Sequence, residues 1–226
     1  MATSYAPNIV SDGIVNCWDA GSRRSYPGTG STWTDVIGGN NATLVHSPPF
    51  NNENGGYFVF DGSNDYINLG HVGFLSEGTI EMWLMYGNGI SGVVNYREWG
   101  GDDYFEVRHN TAGLNGACTW DIPTTSLSSA KTSWTAGLWY QGVWAWKYST
   151  NDGYMFFNGK LDVHSTSGVT QDPSALSGSL DMYAMRSSST YAGYIPGRLA
   201  IFRIYNRVLS SKEVLQNYNA TKWRFQ

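Results

Sequence analysis

The loop at residues 61–65, D-G-S-N-D, holds the densest group of side-chain oxygens near the middle of the chain. Asp61, Asn64 and Asp65 are hard oxygen donors, and calcium binds several such ligands together with backbone carbonyls. The same residue types also build tight turns, because their side chains accept hydrogen bonds from nearby backbone N–H groups. The sequence therefore leaves two alternatives for this loop: a calcium site formed by Asp61, Asn64 and Asp65, or a turn without a metal.

A second polar segment combines aromatic rings with carboxylates around a glycine-rich turn. Its residues are Tyr96, Trp99, Asp102, Asp103 and Tyr104. Flat rings stack on the apolar faces of sugars, while carboxylates and amides fix the orientation of hydroxyl groups. We predict a ligand-binding site here. The alternative is that these rings fill the core, as expected for most of the 10 Trp residues.

Other patterns of site chemistry are weak or missing in the sequence. The four histidines stand apart from one another, and no G-x-S-x-G segment is present. No glycine-rich segment opens a helix, so a nucleotide site has no support. Cys17 and Cys118 are too far apart for a metal knuckle, and they are either two buried thiols or one disulfide.

Composition narrows the class of protein. The net charge of −4, with 14 Lys and Arg in 226 residues, lacks the basic footprint of a nucleic-acid-binding protein. The first residues contain no apolar run, and no apolar stretch approaches the length of a membrane span, so we expect neither a signal peptide nor a membrane helix. Aromatic residues make up 15% and charged residues only 14%, which favours short strands separated by turns.

The elements that position the loop at 61–65 are predicted strands on either side of it, at 57–60 and 66–69. Both are runs of aromatic and β-branched residues, so we predict a hairpin. Aromatic rings would lie on both of its faces, which favours burial between two sheets. Further strands are predicted at 14–19, 42–45, 78–86, 93–96, 104–109, 117–121, 139–148, 154–157, 160–165, 179–185 and 197–206.

Two local signals define the second half of the chain. Asn158-Gly159 predicts a two-residue hairpin turn in which both residues have positive φ. Ser210 and Glu213 fit a capping box, which predicts a short helix over about 211–219. Beyond this helix the tail at 221–226 contains two large rings, Trp223 and Phe225. These rings either pack under the sandwich or dock onto a neighbouring chain, and their terminal position favours docking.

Several motifs together resemble a known family. They are G-I-V-N-C-W-D-A-G, S-Y-P-G-T-G-S-T-W, F-D-G-S-N-D-Y-I-N-L-G, T-I-E-M-W, Y-M-F-F-N-G-K-L and A-I-F-R-I-Y-N-R-V-L-S-S-K-E-V-L-Q-N-Y-N. In this order they resemble the laminin-G-like branch of the concanavalin A-like lectin/glucanase superfamily, in the form found in bacteriophage structural proteins and bacterial surface proteins. The resemblance extends from about residue 13 to 220. It implies an all-β fold, a jelly-roll sandwich of two antiparallel sheets, with one short C-terminal helix in a single domain spanning 1–226.

The resemblance also implies where to look for function. In relatives, ligands often bind on the concave sheet face or the rim loops, and many relatives carry calcium. Hydrolases of the superfamily usually place paired carboxylates close together as Glu-x-Asp-x-Glu, and this sequence has no such segment. We therefore expect that the protein is not an enzyme.

The function predicted on these grounds is a non-catalytic adhesion module on a virion surface, with surface glycans or other virion proteins as partners. A purely structural capsid-decoration or tail-fibre component is the alternative, and a glycoside hydrolase is third. A cellular or extracellular surface is the alternative location. Self-association of the chain is left open, and no cofactor other than calcium is expected.

Overall fold

The computed structural model describes residues 7–86, 91–97, 104–109, 118–122, 125–135, 137–176, 178–182, 184–187, 190–194 and 196–226. Its strands are β1 (Ile14–Asp19), β2 (Thr32–Trp33), β3 (Ala42–Val45), β4 (Phe50–Asn51), β5 (Tyr57–Asp61), β6 (Tyr66–Asn68), β7 (Glu77–Tyr86), β8 (Ser91–Arg97), β9 (Tyr104–His109), β10 (Cys118–Ile122), β11 (Thr125–Ser128), β12 (Tyr140–Lys147), β13 (Asp152–Phe157), β14 (Lys160–Ser165), β15 (Ser179–Met182), β16 (Ala184–Ser187), β17 (Thr190–Tyr194) and β18 (Pro196–Tyr205). The helix α1 spans Ser211–Thr221.

These strands form two antiparallel sheets and one separate hairpin. The first sheet has the order β14-β13-β12-β7-β18-β5-β4, and β1 also pairs with β18. The second sheet has the order β11-β10-β9-β8-β15-β6-β3-β2, and β16 pairs with β17 in the hairpin. Together with α1, this arrangement is the predicted jelly-roll sandwich.

The main core lies between the two sheets. Ile80, Met82 and Leu84 alternate along β7 and belong to one buried cluster with Ile67 of β6 and Leu180 of β15. This alternation is the period-two pattern of a strand that is packed on one face against the core. Trp144 and Trp146 also lie in this cluster, as the alternation in β12 predicts.

The predicted hairpin around residues 61–65 is wrong. Strand β5 pairs with β18 and β4 in the first sheet, whereas β6 pairs with β3 and β15 in the second. The crossing has a physical reason, because it places Phe58 and Ile67 in the same core from opposite layers. In a hairpin these side chains would have lined a single sheet. The loop at 61–65 therefore connects the two layers of the sandwich.

The outer face of the first sheet is covered by α1 and the tail. Trp83 stacks on Phe225 with ring centroids 4.4 Å apart, and Trp139 lies 4.9 Å from the same ring. Phe225 is 9% exposed, so its packing is intramolecular, contrary to the docking favoured from the sequence. The apolar surface over Trp83 that buries Phe225 is formed by the same chain. The position of Phe225 near the end of the sequence does not indicate that this surface is there. Trp223 remains 67% exposed.

A buried polar network joins α1 to this sheet. The carboxylate of Glu81 accepts hydrogen bonds from Gln141, from Arg203 and, at 2.7 Å, from Asn217 of α1. The Asn217 side chain in turn accepts the backbone N–H of Val10 at 2.7 Å. Glu81 is fully buried, and these bonds replace the water that its charge would otherwise require.

The local signals are largely confirmed. Asn158 and Gly159 have φ values of 51° and 77°, and Ser210 and Glu213 form the capping box. Cys17 is a free buried thiol, so it forms no disulfide with Cys118. Within the described ranges, no helix is long and apolar enough to cross a membrane.

Candidate carbohydrate-binding site

A row of polar positions crosses the second sheet. Thr43 lies opposite Asn68, and Asn68 lies opposite Asp181. The backbone register continues the row, from Asp181 to Asn95 to Glu106. Residues directly opposite one another in adjacent strands share a face of the sheet. Five consecutive strands therefore contribute one polar row.

The row lies on the face directed away from the core. In β6, Ile67 is part of the main core, and so is Leu180 of β15. Successive side chains of a strand point to opposite faces, so Asn68 and Asp181 lie on the other side. The alternation of polar and apolar residues in Y-I-N (66–68) and S-L-D-M (179–182) produces this division between core-facing and outward-facing side chains.

Hydrogen bonds fix the polar groups in the row. The Asn68 amide donates to Asp181 Oδ1 at 2.7 Å and to Ser179 Oγ at 2.9 Å. Asp181 is fully buried and Glu106 is 7% exposed, whereas Asn68 is half-buried. The strand β16 contacts β8 and β15, so the hairpin borders this part of the row. The accessible polar surface is therefore at the Asn68 end.

Aromatic rings gather at the same end. Tyr66 lies two residues before Asn68 and shares its face, and its ring centroid is 6.2 Å from that of Tyr194 at the end of β17. The ring centroid of His46 lies 6.4 Å from that of Tyr66. Both tyrosines are half-buried, and His46 is exposed. We call Tyr66, Asn68, Ser179, Asp181 and Tyr194 the outer polar face.

The loop at 61–65 leads directly into this face and is built as a turn. Asp61 Oδ1 accepts the backbone N–H of Ser63 at 2.7 Å, and Nδ1 of His46 lies 2.9 Å from the carbonyl oxygen of Asn64. Burial raises the pKa of the Asp65 carboxyl, and the negative charge of Asp61 raises it further.

The donors in this loop fall short of a calcium site. Calcium takes about six to eight oxygen ligands. The loop brings two carboxylates near each other, and one oxygen of Asp61 already serves the turn. Within the described part of the chain, no group of three or more His, Cys, Asp or Glu residues could hold a metal ion. The geometry thus supports the turn alternative.

The segment predicted to bind ligand is only partly described. Trp99, Asp102 and Asp103 lie outside the described residues. Tyr96 and Tyr104 occupy the ends of β8 and β9, where the backbone of Tyr96 is opposite Phe105 and that of Tyr104 is opposite Arg97. Adjacent pairs in a ladder alternate between the two faces, so the register does not place these two positions on one face.

The outer polar face was missed because its members are distant in sequence. Asn68 and Asp181 are 113 residues apart, and each is a single polar residue between two apolar ones. The alternation marks each as a residue on the face opposite the core. Which strands are neighbours is decided by the topology, and no local pattern encodes it.

The two antiparallel sheets of this jelly-roll sandwich form a lectin-like fold. Residues 61–215 match a laminin G-type family described as the concanavalin A-like lectin/glucanases superfamily. The chain belongs to this family. Among curated proteins, no sequence matches it significantly.

Solved structures of two kinds share the fold. A Trypanosoma rangeli sialidase in complex with sialic acid has a TM-score of 0.71 and 15% identity, with 98% of this chain and 36% of that chain covered. The botulinum neurotoxin serotype G binding domain has a TM-score of 0.65 and 16% identity, covering 91% and 50%. The receptor-binding domain of the botulinum neurotoxin C/D mosaic serotype has a TM-score of 0.66 and 12% identity, covering 92% and 51%.

These matches correct one prediction. The chain spans about a third of the sialidase and half of each neurotoxin domain, and at such low identity the likeness shows the fold alone. The prediction that the protein is not an enzyme is wrong as an inference from fold and motifs, because this fold also occurs in chains of a sialidase. The absence of one carboxylate motif from the sequence does not exclude enzymatic activity, because one fold can host several functions.

Proposed function

We propose that the protein is a carbohydrate-binding adhesion module of a virion surface and that its outer polar face contacts the glycan. The observation that carries this proposal is that Tyr66 and Tyr194 lie together on the same face as the half-buried Asn68 amide. Rings can cover the apolar face of a sugar, while the Asn68 amide, which Asp181 holds in place, selects its hydroxyl groups. Family membership and the structural likeness to receptor-binding domains of neurotoxins support the same class of function.

The glycan proposal is tested by binding of the purified chain to a glycan array, followed by titration of the best ligand. Tyr194→Ala and Asn68→Ala are expected to weaken binding about tenfold or more, because each removes a direct contact. Tyr148→Ala is the matched control, since Tyr148 is a comparably exposed tyrosine that follows β12 of the first sheet. Equal affinities for all three variants would contradict the assignment of the face.

A second candidate function is docking onto another structural protein of the particle. The specific observation in its favour is Trp223, which is 67% exposed although it is a large apolar ring. Co-sedimentation with particles that lack this protein tests it. Wild-type chain is expected to associate and Trp223→Ala to associate less, whereas retention of both to the same extent would contradict docking through this ring.

A further inference from the structure

A separate cleft lies at the end of the first sheet, between the loop at residues 20–28 and the segment at 50–55. Its volume is about 310 Å³, and its lining includes Arg23, Tyr26, Phe50 and Asn52. None of these residues belongs to the outer polar face. A cleft of this size is at the lower end of the range for small-molecule sites, about 300–1,000 Å³.

Tight packing holds the walls of the cleft in place. A Cβ atom on Gly21 would come within 1.8 Å of the Gly55 carbonyl oxygen, so the two segments are in direct backbone contact. The Tyr26 hydroxyl donates to the Gly30 carbonyl at 2.9 Å, and its ring lies 5.1 Å from that of Phe50. The cleft is therefore a preformed feature of these two loops.

Among the residues that line the cleft, Arg23 carries the charge. Arg23 is exposed and forms no ion pair with any residue that the structure describes. Asp19, which begins the same turn, is already paired with Arg224 at 2.8 Å and 3.0 Å. The Arg23 guanidinium is thus available for an external anion.

We propose that this cleft binds an anionic sugar, whose carboxylate or sulfate group is held by Arg23. A planar guanidinium matches the geometry of such oxyanions and can donate two parallel hydrogen bonds. The Asn52 amide supplies a donor and an acceptor for a hydroxyl group, and Tyr26 with Phe50 supplies apolar surface for the ring. The small volume selects a single sugar unit, such as the end of a chain. This second site does not depend on the outer polar face.

The test compares methyl β-D-glucuronide with methyl β-D-glucoside, which differ only in the carboxylate, in titrations of the full chain monitored by NMR or calorimetry. N-acetylneuraminic acid and galactose 6-sulfate distinguish the two sources of the anion. We expect at least one acidic sugar to bind and the neutral glucoside to bind about tenfold more weakly or not at all. Arg23→Gln should abolish this preference.

Arg24→Gln is the matched control, because Arg24 is an equally exposed neighbour that does not line the cleft. Retained preference for the acid in this variant, together with unchanged binding in Tyr194→Ala, supports the proposal. Equal loss in both arginine variants would indicate general charge attraction and overturn it, as would equal binding of glucuronide and glucoside or no binding of any acidic sugar. Melting temperatures of the variants establish that each is folded.

Discussion

Asp65 illustrates how the position of one carboxyl group sets a pH dependence. Its folded pKa is raised, first by burial and then by Asp61. A carboxyl with a raised folded pKa contributes stability below its unfolded pKa of about 3.9, and that stability is lost as the pH rises through the folded value. At neutral pH the Asp65 carboxyl therefore contributes less to the stability of the folded protein than it does at low pH.

We expect Asp65→Asn to melt at a higher temperature than wild type at pH 7 and at an equal temperature near pH 3. The amide keeps an oxygen for the backbone N–H of Asp61 but carries no charge to desolvate. Melting followed by circular dichroism in EDTA at both pH values measures this. A loss of stability at pH 7 would instead mean that the folded protein needs the ionised carboxylate.

Gly159 combines a turn requirement with a packing requirement. Its φ is +77°, and an added Cβ would lie 3.0 Å from Leu215 and 3.1 Å from Tyr218 of α1. Gly39 has a similar φ of +74° but open space around it. The two glycines therefore separate backbone strain from crowding.

We expect Gly39→Ala to cost about 1 kcal/mol and Gly159→Ala about 2–3 kcal/mol in free energy of unfolding. Urea titration of both variants measures the difference. Equal losses in free energy of unfolding would mean that α1 shifts to make room for the added methyl group at no energetic cost. Gly159→Ala combined with Leu215→Ala then shows whether relief of this contact recovers stability.

At the scale of elements, the C-terminal segment acts as part of the fold. On the outer face of the first sheet, Val214 of α1 packs in one buried cluster, and Phe225 packs with Trp83 and Trp139 in a second. Trp223, two residues away, points to solvent. The tail therefore contains one structural ring and one accessible ring.

Phe225→Ala should lower the free energy of unfolding by about 3 kcal/mol, because it removes a buried aromatic ring from a packed cluster. Trp223→Ala should change it by less than about 0.5 kcal/mol, as for other exposed positions. Denaturant titration of the isolated protein compares them. A large loss in Trp223→Ala would mean that this ring also packs within the chain, and it would argue against docking through it.

The elements show what local sequence could and could not predict. Strands such as β3 and β9, the turn at Asn158-Gly159 and the capping box at Ser210 depend on neighbouring residues, and they were predictable. The pairing of β5 and β6 depends on distant strands, and it was predicted wrongly. The partners of Glu81 come from β12, β18 and α1, so its burial follows only from the complete topology.

The whole molecule brings together residues that no motif groups. The outer polar face requires β6, β15 and β17 to meet, and the cleft lined by Arg23 requires two loops to touch. The sequence predicted a binding site of aromatic rings beside carboxylates around residues 96–104, and that site stays a prediction because Trp99, Asp102 and Asp103 lie outside the described residues. Only the strand order brings Asn68 to Asp181.

Calcium binding can be tested by the stability of the whole molecule, since an ion that binds only the native state stabilises the whole domain. With one oxygen of Asp61 committed to the turn, we expect neither EDTA nor millimolar calcium to shift the melting temperature. A fall in EDTA that added calcium reverses in wild type but not in Asp65→Asn would establish a calcium site in this loop.

The crossing of residues 61–65 between layers also has a consequence for engineering. A hairpin tolerates a longer loop between its strands, because the two strands stay hydrogen-bonded to each other. Here Asp61 still belongs to β5, and the four residues 62–65 span the gap between two sheets, which pack about 10 Å apart. They act as a spacer of fixed length, so deletions would pull the layers together at this edge, and epitopes or tags are better grafted elsewhere.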